Sequence, residues 1–345
     1  MIDYYFRCVD IPFWGFAMEL RKVQKTSGGT FFVCLPKGWA EHSGISKGSV
    51  VSVSERVDGR LVIDAKYGVE RALEVAVVKP GLLLYREIMG KYLLGYDVIR
   101  VEGKERISVE DRERVKETVR RLVGLEIVEE DYMRIVMQCL LEPSAFLPEK
   151  ILRREYSIAA GMHRDAVTAL VDGDVHLAKN VVARDDEVNR LYFLLVRILR
   201  TVIQNPGLSE KLGIFPIDCL DYRLVASLVE SIGDQSVMVA QKAMGLEGVK
   251  LKKDVLGAVA KLHGFVFDAH EQAVRALFSR DVALAESLRV DGRKRFVSMF
   301  QEAENVVGSL GGGEAAPHVL AVVSFLGRIF DAGVDIADLV MPKTS

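Results

Sequence analysis

Two stretches in the second half of the chain repeat each other without a gap. Residues 162–178 read MHRDAVTALVDGDVHLA, and residues 269–285 read AHEQAVRALFSRDVALA. Residues 228–244 and 325–341 agree more weakly, but they share Ile, Asp, Val, Ala and Met at spacings of two, three and four, which are typical of helices. Because both pairs occur in the same order, the repeated unit is a bundle of several helices rather than a single helix.

The apolar periodicity after residue 150 predicts six helices, three in each copy of the repeat. They are expected at residues 153–171, 175–204, 217–244, 253–279, 281–307 and 316–341. Proline and glycine at residues 205–207 and 311–313 supply a break before the third helix of each copy. The sequence therefore predicts an all-α domain over residues 151–345, in which two antiparallel three-helix bundles follow each other.

Composition indicates a soluble globular protein with two or three domains. The chain has 345 residues, of which 50% are hydrophobic and 27% charged. Its net charge of −2 excludes a protein that coats nucleic acid through overall basicity, so any DNA contact must come from a local patch. Four cysteines without CxxC spacing fit ordinary buried thiols in a reducing compartment, and we expect a cytoplasmic protein: Cys8, Cys34, Cys139 and Cys219.

The first residues are apolar, but charged residues interrupt them and the stretch is shorter than the about 20 residues that span a membrane. They also lack the basic start of a signal peptide. Met18 stands directly before the first recognisable motif. We therefore expect residues 1–17 to be an extension from an upstream start codon, and we expect no membrane insertion.

Residues 18–68 show the pattern of short strands and turns, with Asp58-Gly59 between two apolar runs as a hairpin signal. Fewer than fifty residues with strands this short bury too little apolar surface to be stable alone. The segment therefore predicts a homodimer in which two copies intertwine. It also carries eight lysine and arginine residues against five acids, which gives each copy a local positive charge.

The run RKVQKTSGGTFFVCLPKGWAEHSGISKGSVVSVSERVDGRLVID resembles the AbrB/SpoVT swapped-hairpin DNA-binding fold, through its basic first strand, its V-x-L-P-K turn and its G-I-x-K-G-x-x-V motif. The resemblance implies that Arg21, Lys22 and Lys25 contact DNA. A two-stranded ribbon fits the major groove, and lysines position it through phosphates. The alternative is that these residues are a solvated strand edge. The apolar TFFV departs from the family pattern, so the operator sequence stays unknown.

Residues 69–150 predict a small α+β segment, with two strand–helix pairs followed by an antiparallel pair of strands in LEIVEED and YMRIVMQCLL. Ser108 is the expected N-cap of the second helix, with Asp111 three residues later. The alternating charges of that helix are typical of a solvated face. We find no catalytic constellation in this segment.

Carboxylates at helical spacing occur on the second and third helices of the repeat. Residues four apart stack on one face of a helix, and like charges there repel each other, so such a face is either solvated or holds a cation. Oxygen ligands suit hard cations such as Mg or Ca, and also Mn or Fe. The first copy offers Asp185, Asn189, Glu230 and Asp234, and the second copy offers Asp331 and Asp335 as a weaker set.

The helices that carry these residues resemble PhoU proteins, over about residues 157–341. LVESIGDQSVMVAQ is similar to the family's ERIGDHAxNIAE helix, and VVARDDEVNRLYFLLVRIL to its VIxxDxxIDxLE helix. The resemblance implies regulation of phosphate uptake and a divalent or trivalent metal ion, such as Fe, Mg, Mn or Zn, on Glu230 with Asp234 and on Asp185 with Asn189. Asn189 and Gly327 replace expected acids, so we expect one site in the first copy and a degenerate one in the second.

A hairpin DNA-binding module followed by a PhoU-like module makes the chain similar to archaeal phosphate-uptake regulators. They predict a DNA-binding, non-enzymatic regulator of phosphate homeostasis whose helical module senses metal, phosphate or a transporter. One alternative is an adaptor in which the hairpin domain only dimerises the chain and the bundles bind a phosphate ABC transporter or a signalling protein. A weaker one is a carboxylate-metal phosphatase. His163 and His270 occupy equal positions in the repeat, which indicates a shared packing or capping role rather than catalysis.

Overall fold

The computed structural model describes residues 19–55, 59–65, 73–309 and 315–342. The chain divides into two compact units, Met1–Ala72 and Leu73–Ser345. The predicted extension at residues 1–17, Asp58 of the hairpin turn and the glycines at 311–313 lie outside the described residues.

The described residues of the first unit form two short antiparallel hairpins and one helix: β1 (Gln24–Lys25), β2 (Phe31–Phe32), α1 (Lys37–His42), β3 (Ser52–Glu55) and β4 (Leu61–Asp64). The pairing of Ser52 with Asp64 and of Glu55 with Leu61 confirms the second hairpin. The first is shorter than the sequence predicts. The backbone N–H of Thr30 donates to Thr26 Oγ1 at 3.1 Å, which closes the turn between β1 and β2.

No residue in the described parts of this first unit is buried. Large apolar side chains are instead open to solvent, and the exposed fraction of Leu20 is 90%, of Phe31 67% and of Leu61 67%. Cys34 is exposed as well, so the expectation that all cysteines are buried is wrong for this one. The described residues of the first unit thus form no hydrophobic core among themselves.

The second unit begins with an α+β segment that contains β5 (Val75–Val78), α2 (Leu84–Leu93), β6 (Val98–Glu102), α3 (Val109–Arg121), β7 (Leu125–Glu130) and β8 (Arg134–Cys139). The four strands form one sheet in the order β5-β6-β8-β7. Strands β5 and β6 are parallel, while β8 is antiparallel to both of its neighbours, which confirms the predicted final pair. The N-cap prediction is also confirmed, because Ser108 Oγ accepts from the Asp111 N–H at 3.0 Å.

The rest of the second unit is helical: α4 (Pro148–Asp172), α5 (Val175–Gln204), α6 (Pro206–Leu212), α7 (Pro216–Met244), α8 (Lys253–Ser279), α9 (Val282–Ser287), α10 (Arg293–Gly308) and α11 (Ala315–Asp338). The two predicted sets of three helices are confirmed. The first set consists of α4, α5 and α7. The second set consists of α8, of α9 together with α10, and of α11. The aspartate that both copies share is a helix cap: Asp174 accepts from the Leu177 N–H at 2.9 Å, and Asp281 from the Leu284 N–H at 3.0 Å.

Two details differ from the sequence expectation. The predicted break at residues 205–207 contains the start of the short helix α6, because Pro206 occupies its first position, where the missing N–H costs nothing. The predicted helix over 281–307 is interrupted by a π-helical turn, Leu288–Gly292, between α9 and α10.

Buried side chains of both helical sets form one hydrophobic core, with Val167, Leu195 and Val229 in the first set and Val259 and Phe330 in the second. Within the described residues, no helix has the length and apolar character needed to cross a membrane.

Candidate metal centre and nucleic-acid interface

The predicted acidic residues of the first copy lie on two neighbouring helices, α5 and α7. Gly233 of α7 is buried against Val188 of α5, which brings the two helices together next to the acids. Asp185 and Glu230 are half-buried, whereas Asp234 is exposed. Asn189 is part of the same group, because its Nδ2 donates to Asp185 Oδ2 at 2.9 Å.

The carboxylates act on each other electrostatically. Burial raises the pKa of Asp185, and the nearby Asp234 and Asp186 raise it further, while the Asn189 amide lowers it. Burial, Asp234 and Asp185 raise the pKa of Glu230, which Arg223 lowers. A raised carboxyl pKa means that the environment disfavours the charged form. The positive charges of Arg121 and Arg223 act in the opposite direction, but they do not cancel the combined effect of burial and the neighbouring acids.

A further acid, which the sequence analysis did not single out, lies beside this group. Glu155 of α4 is 0% exposed, and neither of its carboxylate oxygens has a hydrogen-bond partner. Burial and the neighbouring Glu230 raise its pKa well above the ordinary value. A signal was present, because Glu155 lies four residues after the buried Ile151 and four before the buried Ala159, on the apolar face of the helix.

The corresponding acids of the second copy have basic neighbours. Arg293 lies 3.6 Å from Asp331, and Arg289 lies 3.4 Å from Asp338. Burial and the flanking Asp331 and Asp338 raise the pKa of Asp335. At Gly327, a Cβ atom would lie 3.1 Å from the Phe300 ring, so an aromatic side chain fills the place where an acid would stand. The two copies thus differ in charge.

In the part of the chain that the structure describes, no three His, Cys, Asp or Glu side chains converge as metal ligands would. The donor chemistry nevertheless fits a hard cation, since the first copy has carboxylate and amide oxygens and the two orphaned oxygens of Glu155. Asp185, Glu230 and Asp234, with Asn189, are the residues that would hold it.

The predicted DNA-binding residues lie at the start of the first unit, where all three are exposed. Lys25 lies in β1, with its Nζ 5.1 Å from the centre of the Phe31 ring. Arg21 and Lys22 precede the strand, and Arg21 forms an ion pair with Glu19. The structure therefore places one of the three on the ribbon and two directly before it.

Comparisons with known families match both regions of the chain. The PhoU domain model matches residues 152–243. The model described as antidote-toxin recognition MazE, bacterial antitoxin, matches residues 24–71. The predicted combination, an AbrB-like domain followed by a PhoU-like helical domain, is confirmed at this level. A comparison with curated proteins gives no match.

The solved structures that are similar to this chain include two PhoU proteins. PhoU from Pseudomonas aeruginosa has 21% sequence identity and a TM-score of 0.51, and the match covers 56% of this chain and 93% of that one. The phosphate transport system regulatory protein PhoU from Streptococcus pneumoniae has 14% identity and a TM-score of 0.48, with 56% and 91% covered. The first likeness shows a shared fold.

Proposed function

We propose that the protein is a cytoplasmic, homodimeric, DNA-binding regulator of phosphate uptake whose helical domain holds a metal ion. The observation that carries this proposal is the combination of a MazE-like region at residues 24–71 with a PhoU domain at residues 152–243. The PhoU domain supports a role in phosphate regulation, because that is what proteins of this family do. The MazE-like region supports a dimer that binds DNA.

The dimer is supported by the absence of buried residues in the described parts of the first unit. Apolar side chains such as Val53 and Leu61, which lie on the paired strands β3 and β4, are more than half exposed. A second copy that packs on these strands would cover them. The free energy of that burial is about 25 cal/mol per Å² of apolar surface, so two small units together gain the core that one lacks.

The DNA contact is supported by the position of Lys22 and Lys25 on exposed chain next to the β1–β2 ribbon. Lysines at such a place neutralise phosphates and release counterions, which gives affinity without sequence discrimination. Two copies in a dimer would present two such groups to one duplex.

The metal ion would be held by Asp185, Asn189, Glu230 and Asp234. When bound, it supplies the positive charge that lets these carboxylates remain ionised while they approach each other. The helices α5 and α7 hold the ligands in register, and Asn189 keeps Asp185 in place through its amide. We propose that occupancy of this site alters the packing of the bundle and thereby DNA binding.

A second function, the adaptor that dimerises without binding DNA, is favoured by one observation. Arg21 is already paired with Glu19, and Lys25 lies over the Phe31 ring, so two of the three basic side chains have contacts within the chain. In this case the helical domain would bind a phosphate transporter or a signalling protein instead.

Binding to a mixed-sequence DNA duplex separates the two functions. Replacing Lys22 and Lys25 with Ala should weaken binding and lower the slope of log affinity against log salt by about 2 per copy, because each lost phosphate contact removes about one unit. The matched control replaces Lys104 and Lys250, two exposed lysines outside the first unit, and should bind as the wild type does. Equal binding by wild type and the Lys22/Lys25 variant would support the adaptor.

A further inference from the structure

Glu155 carries a buried carboxyl group without a hydrogen-bond partner. It lies between Ile151 and Ala159 on the inner face of α4, and both of its oxygens lack a donor. An ionised carboxylate removed from water without hydrogen bonds is strongly destabilised, so a buried acid of this kind is protonated, paired or bound to a cation. The hydrophobic core around Glu155 offers no reason to retain an acid there.

The charged residues near Glu155 do not satisfy it. Glu230 of α7 is the acid whose charge acts most strongly on it, and this charge is of the same sign. Arg223 has the opposite sign, but its guanidinium lies 4.8 Å from the centre of the Tyr192 ring, and the residue is exposed. Glu155 and Glu230 thus form a pair of neighbouring acids that extends the acidic group from α5 and α7 to α4.

The second copy of the repeat provides an independent comparison. Residues 162–178 align with residues 269–285, and the same alignment extended backwards places Leu262 at the position of Glu155. Leu262 is buried, with an exposed fraction of 1%. The offset of the third helices places Gly327 at the position of Glu230. Both acids of the pair are therefore absent in the same copy. An ordinary apolar residue fits this place in the bundle, so the acid in the first copy is not needed for packing.

We propose that Glu155 is a ligand of the cation held with Glu230, so that the metal centre of the first copy is built from three helices, α4, α5 and α7. This inference rests on the metal site of the proposed function. A hard cation would coordinate the orphaned oxygens of Glu155 and would offset the repulsion between the carboxylates of Glu155 and Glu230. The half-buried Glu230 connects this position with the exposed Asp234, which provides the route from solvent.

Manganese binding to the full-length protein tests the proposal. The protein is stripped with a chelator and titrated with MnCl2 by calorimetry, and its thermal unfolding is followed with and without MnCl2. The variants are Glu155→Gln, Glu155→Leu, which copies Leu262, and Asp234→Asn. Glu187→Gln is the matched control, because Glu187 lies on α5 in the same bundle and is paired with Arg154 at 2.9 Å.

Both Glu155 variants should bind Mn²⁺ at least about tenfold more weakly than the wild type and lose most of its metal-induced rise in melting temperature. Without metal, they should melt at the same temperature as the wild type or higher, since the buried carboxyl group without hydrogen bonds is gone. Wild-type affinity in both Glu155 variants, or a lower melting temperature of both without metal, would overturn the proposal.

The design separates this inference from the proposed function. If the wild type and the Glu155 variants bind Mn²⁺ alike while Asp234→Asn does not, the metal site stands and only the role of Glu155 fails. If the wild type binds no Mn²⁺, both the metal part of the proposed function and the role of Glu155 fail.

Discussion

At the scale of single residues, a chain of hydrogen bonds joins the two copies of the repeat. Tyr156 Oη lies 2.9 Å from His270 Nδ1, and His270 Nε2 lies 3.1 Å from His163 Nδ1. His163 Nε2 in turn lies 3.1 Å from His263 Nδ1. His163 and His270 hold equal positions in the repeat, so their contact marks the place where the two copies meet as related halves.

The pKa values of these hydrogen-bonded histidines predict that the protein becomes less stable in acid. Burial lowers the pKa of His263 from 6.5 to about 4 and that of His270 to about 3, and Arg164 lowers the pKa of His263 further, whereas Asp268 raises it. The unfolded chain therefore binds protons first. The contribution is fully present above pH 6.5 and is lost as the pH falls towards 4 and then 3.

Because of the lowered pKa of His263 alone, the free energy of unfolding should be about 2 kcal/mol lower at pH 5 than at pH 8. Urea denaturation of the wild type and His263→Gln at both pH values measures this, and the variant should show the smaller decrease. His176→Gln, at an exposed histidine, serves as the control and should behave as the wild type. An equal pH effect in wild type and His263→Gln would contradict the prediction.

At the scale of elements, a buried arginine fastens the α+β segment to the helical region. Arg197 of α5 is 2% exposed, and its guanidinium donates to the backbone carbonyls of Tyr92, Gly95 and Tyr96, at the C-terminal end of α2. Carbonyls at a helix end have no partner within the helix and carry partial negative charge, so a cation there stabilises them.

Replacing Arg197 with Gln should lower the free energy of unfolding by about 3 kcal/mol, because it removes the charged donor that the carbonyls of Tyr92, Gly95 and Tyr96 share. Arg200→Gln, on the exposed face of the same helix, should change it by less than about 0.5 kcal/mol. Urea denaturation of both variants provides the comparison. A similar small effect for both would show that solvent or neighbouring groups replace the guanidinium.

The third helices of the two copies should differ in metal content. Asp234→Asn removes a negative charge from the acidic group of the first copy, so it should abolish most bound metal and lower the melting temperature only in buffer that contains metal. Asp331→Asn should do much less, because Arg293 already lies beside Asp331. Elemental analysis of the purified proteins measures this. Equal metal in the wild type and both variants would reduce the acidic face of α7 to a solvated surface.

At the scale of the whole molecule, we propose that the first unit acquires a core by pairing with a second copy, since none of its described residues is buried. Val53→Asp combined with Leu61→Asp places two charges on the paired strands β3 and β4, where we expect the partner copy to pack. The full chain should then change from dimer to monomer in sedimentation equilibrium, while its helical circular dichroism is retained. Val109→Asp, at a valine that is 78% exposed on α3, is the control. A dimeric double variant would place the interface elsewhere.

Local patterns in the sequence predicted much of this architecture. Helices expected at 175–204 and 253–279 have these bounds in the structure as α5 and α8, since apolar spacing, caps and breaks are properties of nearby residues. The π-helical turn at Leu288–Gly292 was missed, because a single extra residue leaves the apolar pattern almost unchanged.

The sequence by itself determined that the chain has a duplicated helical region, an AbrB-like hairpin segment and acids at helical spacing in the first copy. The tertiary structure alone decided that Glu155 is buried beside Glu230, that Arg197 lies at the end of α2, and that Phe300 occupies the space at Gly327. The physical reason is that spacing along a helix defines its faces, whereas burial and charge depend on which faces of different helices pack together.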